Sequence, residues 1–150
     1  MNKLVDINKN AQIGKNLKIE AFSSIHENVI IGDNCWIGSN VTIYPGARIG
    51  SNCQIFPGSV ISAIPQDLKF KGENTTAFIG NNVIIRECVT INRGTSYSDT
   101  TIVEDNCFLM AYSHVAHDCI IRNNVIIANG VAIAGHVVVD EYAIIGGLSA

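Results

Sequence analysis

Isoleucine occupies positions 7, 13, 19, 25, 31, 37, 43, 49, 55 and 61, one residue in every six without a gap. The same phase resumes at Ile79, Ile85 and Ile91 and runs on through Val103, Leu109, Val115, Ile121, Ile127, Ile133, Val139 and Ile145. Two residues earlier in each unit stands a small or aliphatic side chain, as at Val29, Cys35, Val41, Ala47 and Cys53. Side chains two apart on an extended chain share a face, so each pair marks a short strand with one buried side. Three residues after the isoleucine, Asn or Gly is common, as at Asn28, Asn34, Asn40, Gly46 and Asn52. These types accept left-handed backbone and suit a corner. A period of six holds no face of an α-helix. Three strand-and-corner units close a triangular coil of about eighteen residues, and parallel pairing stacks such coils at roughly 4.8 Å. The expectation is an all-β, single-stranded solenoid of about eight coils, a parallel β-helix of hexapeptide repeats with residues 1–150 as one domain.

Composition agrees with this and excludes some functions. The 150 residues are 47% hydrophobic and 15% charged, with a formal net charge of −3. That is enough apolar material for one core. There is no basic excess to hold a phosphate backbone, so no nucleic-acid partner is expected. No run of about 18 apolar residues occurs, so no transmembrane segment is expected. The first residues lack the apolar stretch of a secretory leader, and a cytoplasmic location is the expectation. The five cysteines form no CxxC pair. Cys35, Cys53, Cys107 and Cys119 fall at the inward position and read as small core residues rather than disulfides or zinc ligands. Cys88 lies outside that register.

The repeat fails in two places. The isoleucine position is taken by Asp67 and Glu73 in the stretch 62–77, and by Tyr97 in the stretch 92–100. Both stretches are polar and turn-rich and read as loops extruded from the coil. The first, with Asp67, Leu68, Lys69 and Phe70, suits contact with a ligand or a neighbouring subunit. Histidine marks a further irregularity. His26 stands alone and is expected on the surface, whereas His114, His117 and His136 cluster late in the chain. His114 falls at an outward position, and Asp118 and His136 stand where Asn or Gly is usual. One coil beyond 117 is Gly135. His114, His117, Asp118, Gly135 and His136 are therefore expected along one edge of the prism, within roughly 5–10 Å of each other along the axis.

A histidine beside a carboxylate suits general-base work, because imidazole exchanges a proton near neutral pH and the carboxylate orients the ring. A backbone N–H at Gly135, unobstructed by a side chain, suits an oxyanion. Together they fit acyl transfer to a hydroxyl, and without a G-x-S-x-G elbow direct attack by the acceptor is the simpler route. Three histidines also suit zinc, as in the γ-class carbonic anhydrases that share the hexapeptide repeat. A non-catalytic scaffold is a third reading.

Gln66-Asp67-Leu68-Lys69, Ile91-Asn92-Arg93-Gly94-Thr95, His114-Val115-Ala116-His117-Asp118 and Ala134-Gly135-His136 resemble, in order and spacing, the UDP-N-acetylglucosamine O-acyltransferases of lipid A biosynthesis. The resemblance runs along the whole chain. It implies a left-handed coil, against the usual right-handed crossover. It implies transfer of a 3-hydroxyacyl group from acyl carrier protein to the 3-hydroxyl of UDP-N-acetylglucosamine, the first step of lipid A biosynthesis. The enzyme would be a homotrimer with active sites between subunits, using no metal and no cofactor. His117 would be the general base, Asp118 its support and the Gly135 N–H the oxyanion donor. His114 and His136 would position substrate, and Asp67 and Lys69 would contact the sugar nucleotide. Many members carry histidine where this chain has Asn92, so a ligand contact there would differ. Family members continue through further coils and a C-terminal helical domain, so the chain is expected to be truncated in mid-coil at Ala150.

Overall fold

The computed structural model describes residues 4–150. Residues 1–3, which begin the stretch read as lacking a secretory leader, lie outside the described residues. Twenty-one short strands follow one another, most of them two residues long. They sort into three seven-stranded sheets in which each strand pairs in parallel with the strand three places on. The fold is a left-handed parallel β-helix of triangular section.

Seven coils form among the described residues, not about eight. Thr42 pairs with Val60, eighteen residues on, but Val60 pairs with Thr90, thirty on, and Thr90 with His114, twenty-four on. The excesses of twelve and six are two repeats and one repeat, together one coil's worth of chain. Because both insertions are whole repeats, the isoleucine phase survives them.

Side chains at the isoleucine position fill the interior: Ile37, Ile43, Ile55, Ile61, Ile85, Ile91, Leu109 and Ile121 are fully buried. Each such burial contributes about 1.5–3 kcal/mol. In the first coil Ile7 is only partly covered and Ile13 is exposed, since no coil lies beneath them. The position two residues earlier does more than pack. Cys35, Cys53, Cys107 and Cys119 are buried free thiols. Each Sγ donates to a corner carbonyl, that of Gly50, Gly80, Arg122 and Ala134 respectively, at 3.0–3.2 Å. Ser23 and Ser59 do the same with Oγ. Small hydrogen-bonding side chains therefore recur there among the valines and alanines, as buried backbone acceptors require. Cys88 sits half-buried at a corner with φ 56°.

Asn16, Asn34, Asn52, Asn82 and Asn106 share one corner with φ of 56–59°. Each amide donates to the Oδ1 of the next at 3.1–3.3 Å, a ladder that ties successive coils. His26 is not a solitary surface residue: it is half-buried and stacks on Tyr44, ring centroids 4.8 Å apart.

Candidate active site

Both loops, His117 and His136 emerge at one corner of the prism. Residues 64–75 leave between strands Val60–Ala63 and Thr76–Ile79, and residues 93–99 between Thr90–Asn92 and Thr100–Val103. On the next two coils the same corner is made by residues 116–119 and 134–137. Because both loops leave and rejoin the coil at this corner, the later strands stay on their own faces, and His117, Asp118, Gly135 and His136 stand directly above the loops.

Asp118 and His136 occupy the corner position with φ of 60° and 65°. The Asp118 side chain is inaccessible to solvent. One carboxylate oxygen accepts the Thr95 N–H at 2.9 Å and the Ser98 hydroxyl at 2.6 Å. The other accepts the Thr95 hydroxyl at 2.6 Å and His117 Nδ1 at 2.8 Å. The Asp118 N–H in turn donates to Thr101 Oγ1. Burial alone would raise the acid's pKa, but the bonds from Ser98, Thr95 and His117 outweigh it and hold the carboxyl well below the usual range. An ionised carboxylate only accepts, so His117 Nδ1 carries a proton, and in the neutral ring the lone pair is therefore on Nε2. The imidazole is 14% exposed, sheltered yet reachable.

Gly135 lies over that ring. A Cβ there would come within 2.6 Å of Cε1 and 2.7 Å of Nε2, so only glycine lets the imidazole sit as it does. Its N–H makes no hydrogen bond among the described residues. His136 is edge-on to His117 at 5.0 Å and to Tyr97 at 4.6 Å. His114, on the adjacent face, holds Thr90 Oγ1 at 2.7 Å through Nδ1. Burial and then the neighbouring His117 push its pKa down, with Thr90 opposing.

Asp67 and Lys69 line a cleft of about 280 Å³ together with Phe70, Glu73, Thr95 and His136. Asp67 Oδ1 accepts the Lys69 N–H at 2.9 Å and so shapes its own loop. Asn92 does not line the cleft. It is buried at a strand end, one coil below Ala116 by register, and its Oδ1 has no partner. The expected residues therefore converge with Asn92 to one side. Thr95, Ser98, Tyr97 and Thr101 were not expected there. Thr95, Tyr97 and Ser98 lie in a loop with no period from which an inward hydroxyl could be read, whereas Thr101 stands in strand Thr100–Val103 at the inward position two residues before Val103, where the repeat could have found it.

Ligand atoms of His117, Asp118 and His136 lie within 4.8 Å of one another, a spread that suits a metal. The carboxylate does not suit one, since each of its oxygens already accepts two donors that a cation would have to displace.

The architecture is that of a protein built on hexapeptide repeats. The model of the bacterial transferase hexapeptide (six repeats) family matches residues 10–43, 28–63 and 100–135, and the chain belongs to that family. It is similar to the acyl-[acyl-carrier-protein]–UDP-N-acetylglucosamine O-acyltransferase of Campylobacter concisus, with 43% identity over 145 residues covering 95% of this chain and 55% of the relative. The enzyme of that name from Thermodesulfovibrio yellowstonii is 47% identical over 144 residues, 95% of this chain and 56% of its own. Among solved structures, a UDP-N-acetylglucosamine acyltransferase from Bacteroides fragilis superposes with a TM-score of 0.95 at 51% identity, over 96% of this chain and 56% of that one. The chain thus spans a little over half the length of these relatives.

Proposed function

We propose that the chain carries the catalytic corner of an enzyme that moves a 3-hydroxyacyl group from acyl carrier protein to the 3-hydroxyl of UDP-N-acetylglucosamine, the first step of lipid A biosynthesis. The observation that carries this reading is the buried Asp118–His117 pair packed against Gly135, whose N–H has no hydrogen-bond partner among the described residues. His117 Nε2 takes the hydroxyl proton as the oxygen attacks the thioester carbonyl, and Asp118 stabilises the imidazolium. The Gly135 N–H donates to the tetrahedral oxyanion. Collapse breaks the C–S bond, and His117 returns the proton to the departing sulfur. Asp67 and Lys69, in the cleft below, hold the sugar nucleotide, with the Lys69 cation facing the diphosphate. His114 and His136 flank the base and position substrate. The unpartnered Asn92 Oδ1 is an acceptor for a ligand donor.

A homotrimer and a cytoplasmic location belong to the same reading. Exposed outward side chains such as Phe78, Val138 and Ile144 support self-association. No helix among the described residues is long and apolar enough to cross a membrane.

The test is acyl transfer from 3-hydroxyacyl carrier protein to UDP-N-acetylglucosamine by the chain and by the complete gene product. Each is compared with its His117→Ala variant, with and without a chelator. The expected loss is about 10²–10⁴-fold, with no chelator effect. Chelator-sensitive activity would favour the zinc enzyme instead. A folded gene product that transfers no acyl group would overturn the proposal.

A further inference from the structure

Asp118 is gripped by four donors, and three of them come from the loop 93–99. A carboxylate whose only task was to meet imidazole would need one. Two donors on each oxygen fix the carboxylate plane as well as its charge. The loop is itself anchored. Gly94 N–H reaches Thr76 O, Thr75 Oγ1 donates to Gly94 O, and Asp99 N–H closes back on Thr95 O at 2.8 Å. Thr95 is buried although it lies in an extruded segment. The segment therefore has a structural purpose directed at one side chain.

We infer that Thr95 and Ser98 are positioning residues for the transfer reaction. They hold the Asp118 carboxylate ionised and rotationally fixed, and through it lock His117 in the Nδ1–H tautomer with Nε2 toward the acceptor. The inference rests on the function proposed above. Without the two hydroxyls, a fully buried carboxylate keeps the Thr95 N–H and His117 as its only donors. It is then free to turn or take up a proton, and the ring loses its single orientation. In a serine-protease triad, spoiling the carboxylate's hold on the tautomer costs about 10⁴-fold in kcat, an upper bound for a change that leaves the carboxylate in place. Outer partners of metal-bound histidines are worth about 10–100-fold, the range expected here.

The experiment compares Thr95→Val, Ser98→Ala and the double variant, each also in an Asp118→Asn background, with Thr95→Ser as the conservative control. Two readouts are taken: steady-state acyl transfer by the complete gene product, and the ¹⁵N spectrum of the His117 ring. The double variant is expected to lose about 10–100-fold in kcat, with KM for UDP-N-acetylglucosamine nearly unchanged. Thr95→Ser should keep most of the activity, and the same substitutions should add almost nothing when Asp118 is already Asn. The spectrum should change from one Nδ1–H tautomer to a mixture. An unchanged tautomer with full kcat overturns the inference. So do equal losses in the Asp118→Asn background, which would mark a purely structural loop. If the unsubstituted enzyme transfers no acyl group, the functional reading fails separately, and the ring spectrum still decides whether Thr95 and Ser98 set the tautomer.

Discussion

Replacing Gly135 by alanine adds one methyl group to the side of the corner that faces the His117 ring, the base on the proposed reading. Its Cβ would lie 2.6 Å from His117 Cε1, 2.7 Å from Nε2 and 3.2 Å from Nδ1. Carbon atoms in good contact are about 3.5–4.0 Å apart, so the overlap is close to 1 Å. Gly135 is not among the residues with positive φ, so the backbone accepts alanine and the whole effect falls on the ring. The ring cannot retreat freely, because Nδ1 is tied to a carboxylate that four donors hold in place. Either His117 tips by about 1 Å, or the coil above shifts at an overpacking cost of about 1–3 kcal/mol. A misplacement of that size in a reacting group costs on the order of 10²-fold in rate. Gly135→Ala is therefore expected to reduce kcat about 10²-fold while the melting temperature falls by only a few degrees. Gly147→Ala is the control, since its Cβ meets only ordinary contacts at 3.4 and 4.0 Å. Steady-state kinetics and thermal unfolding of both variants check the argument. A Gly135→Ala enzyme with native kcat would refute the placement of the base.

Three further outcomes follow from the same geometry. The folded-state pKa of Asp118 lies well below its unfolded value of about 3.9, so its stabilisation is full above that pH and is lost progressively as pH falls from there toward the lower folded value; the gap in unfolding free energy between wild type and Asp118→Asn should be full at pH 6 and narrow steadily below about pH 4, and a gap constant down to pH 3 would deny that folding depresses the carboxyl pKa. Asn52 sits at φ 59° and makes two ladder bonds, so Asn52→Ala should cost about 2 kcal/mol and Asn52→Gly about 1, read by chemical denaturation; alanine no worse than glycine would show that the positive φ carries no weight. Deleting residues 64–75 with Thr76→Asn makes the step from Ile61 to Ala77 equal to that from Ile43 to Ala47, so sheet circular dichroism and cooperative unfolding should survive while UDP-N-acetylglucosamine binding, read by calorimetry, is lost.

The coil was legible because its rule is local: a buried isoleucine, a small partner two residues before it, and an Asn or Gly at the corner recur in nearly every unit. The stacking of Gly135 on His117 needed only the addition of one coil, and the structure places them in contact. The coil number was harder, because the two loops consume eighteen residues without contributing a strand. The partners of Asp118 were not legible. Thr95 and Ser98 lie in an aperiodic segment whose path depends on Thr75, Thr76 and Gly94, contacts that no repeat encodes. The pairing of His26 with Tyr44 spans one coil, and counting could have found it, but a lone histidine gave no reason to count.

The order of parts up the corner constrains how substrates approach. From below upward come the loop with Asp67 and Lys69, the loop with Thr95 and Ser98, then His117, and Gly135. Successive coils are roughly 4.8 Å apart, so the span from the first loop to Gly135 is about 14 Å along the axis. On the proposed reading, an acceptor held in the cleft lies along that axis with its reacting hydroxyl uppermost, at His117 Nε2. His136 and Tyr97 wall one side of the approach, packed edge-on at 4.6 Å. The thioester carbonyl has to meet the Gly135 N–H, so the donor enters from the upper coil and not through the cleft. On that reading acceptor and donor reach His117 from opposite directions, which favours a ternary complex with direct attack. Initial-rate kinetics should give intersecting double-reciprocal lines when both substrates are varied. Parallel lines, the signature of a covalent acyl-enzyme, would contradict the arrangement.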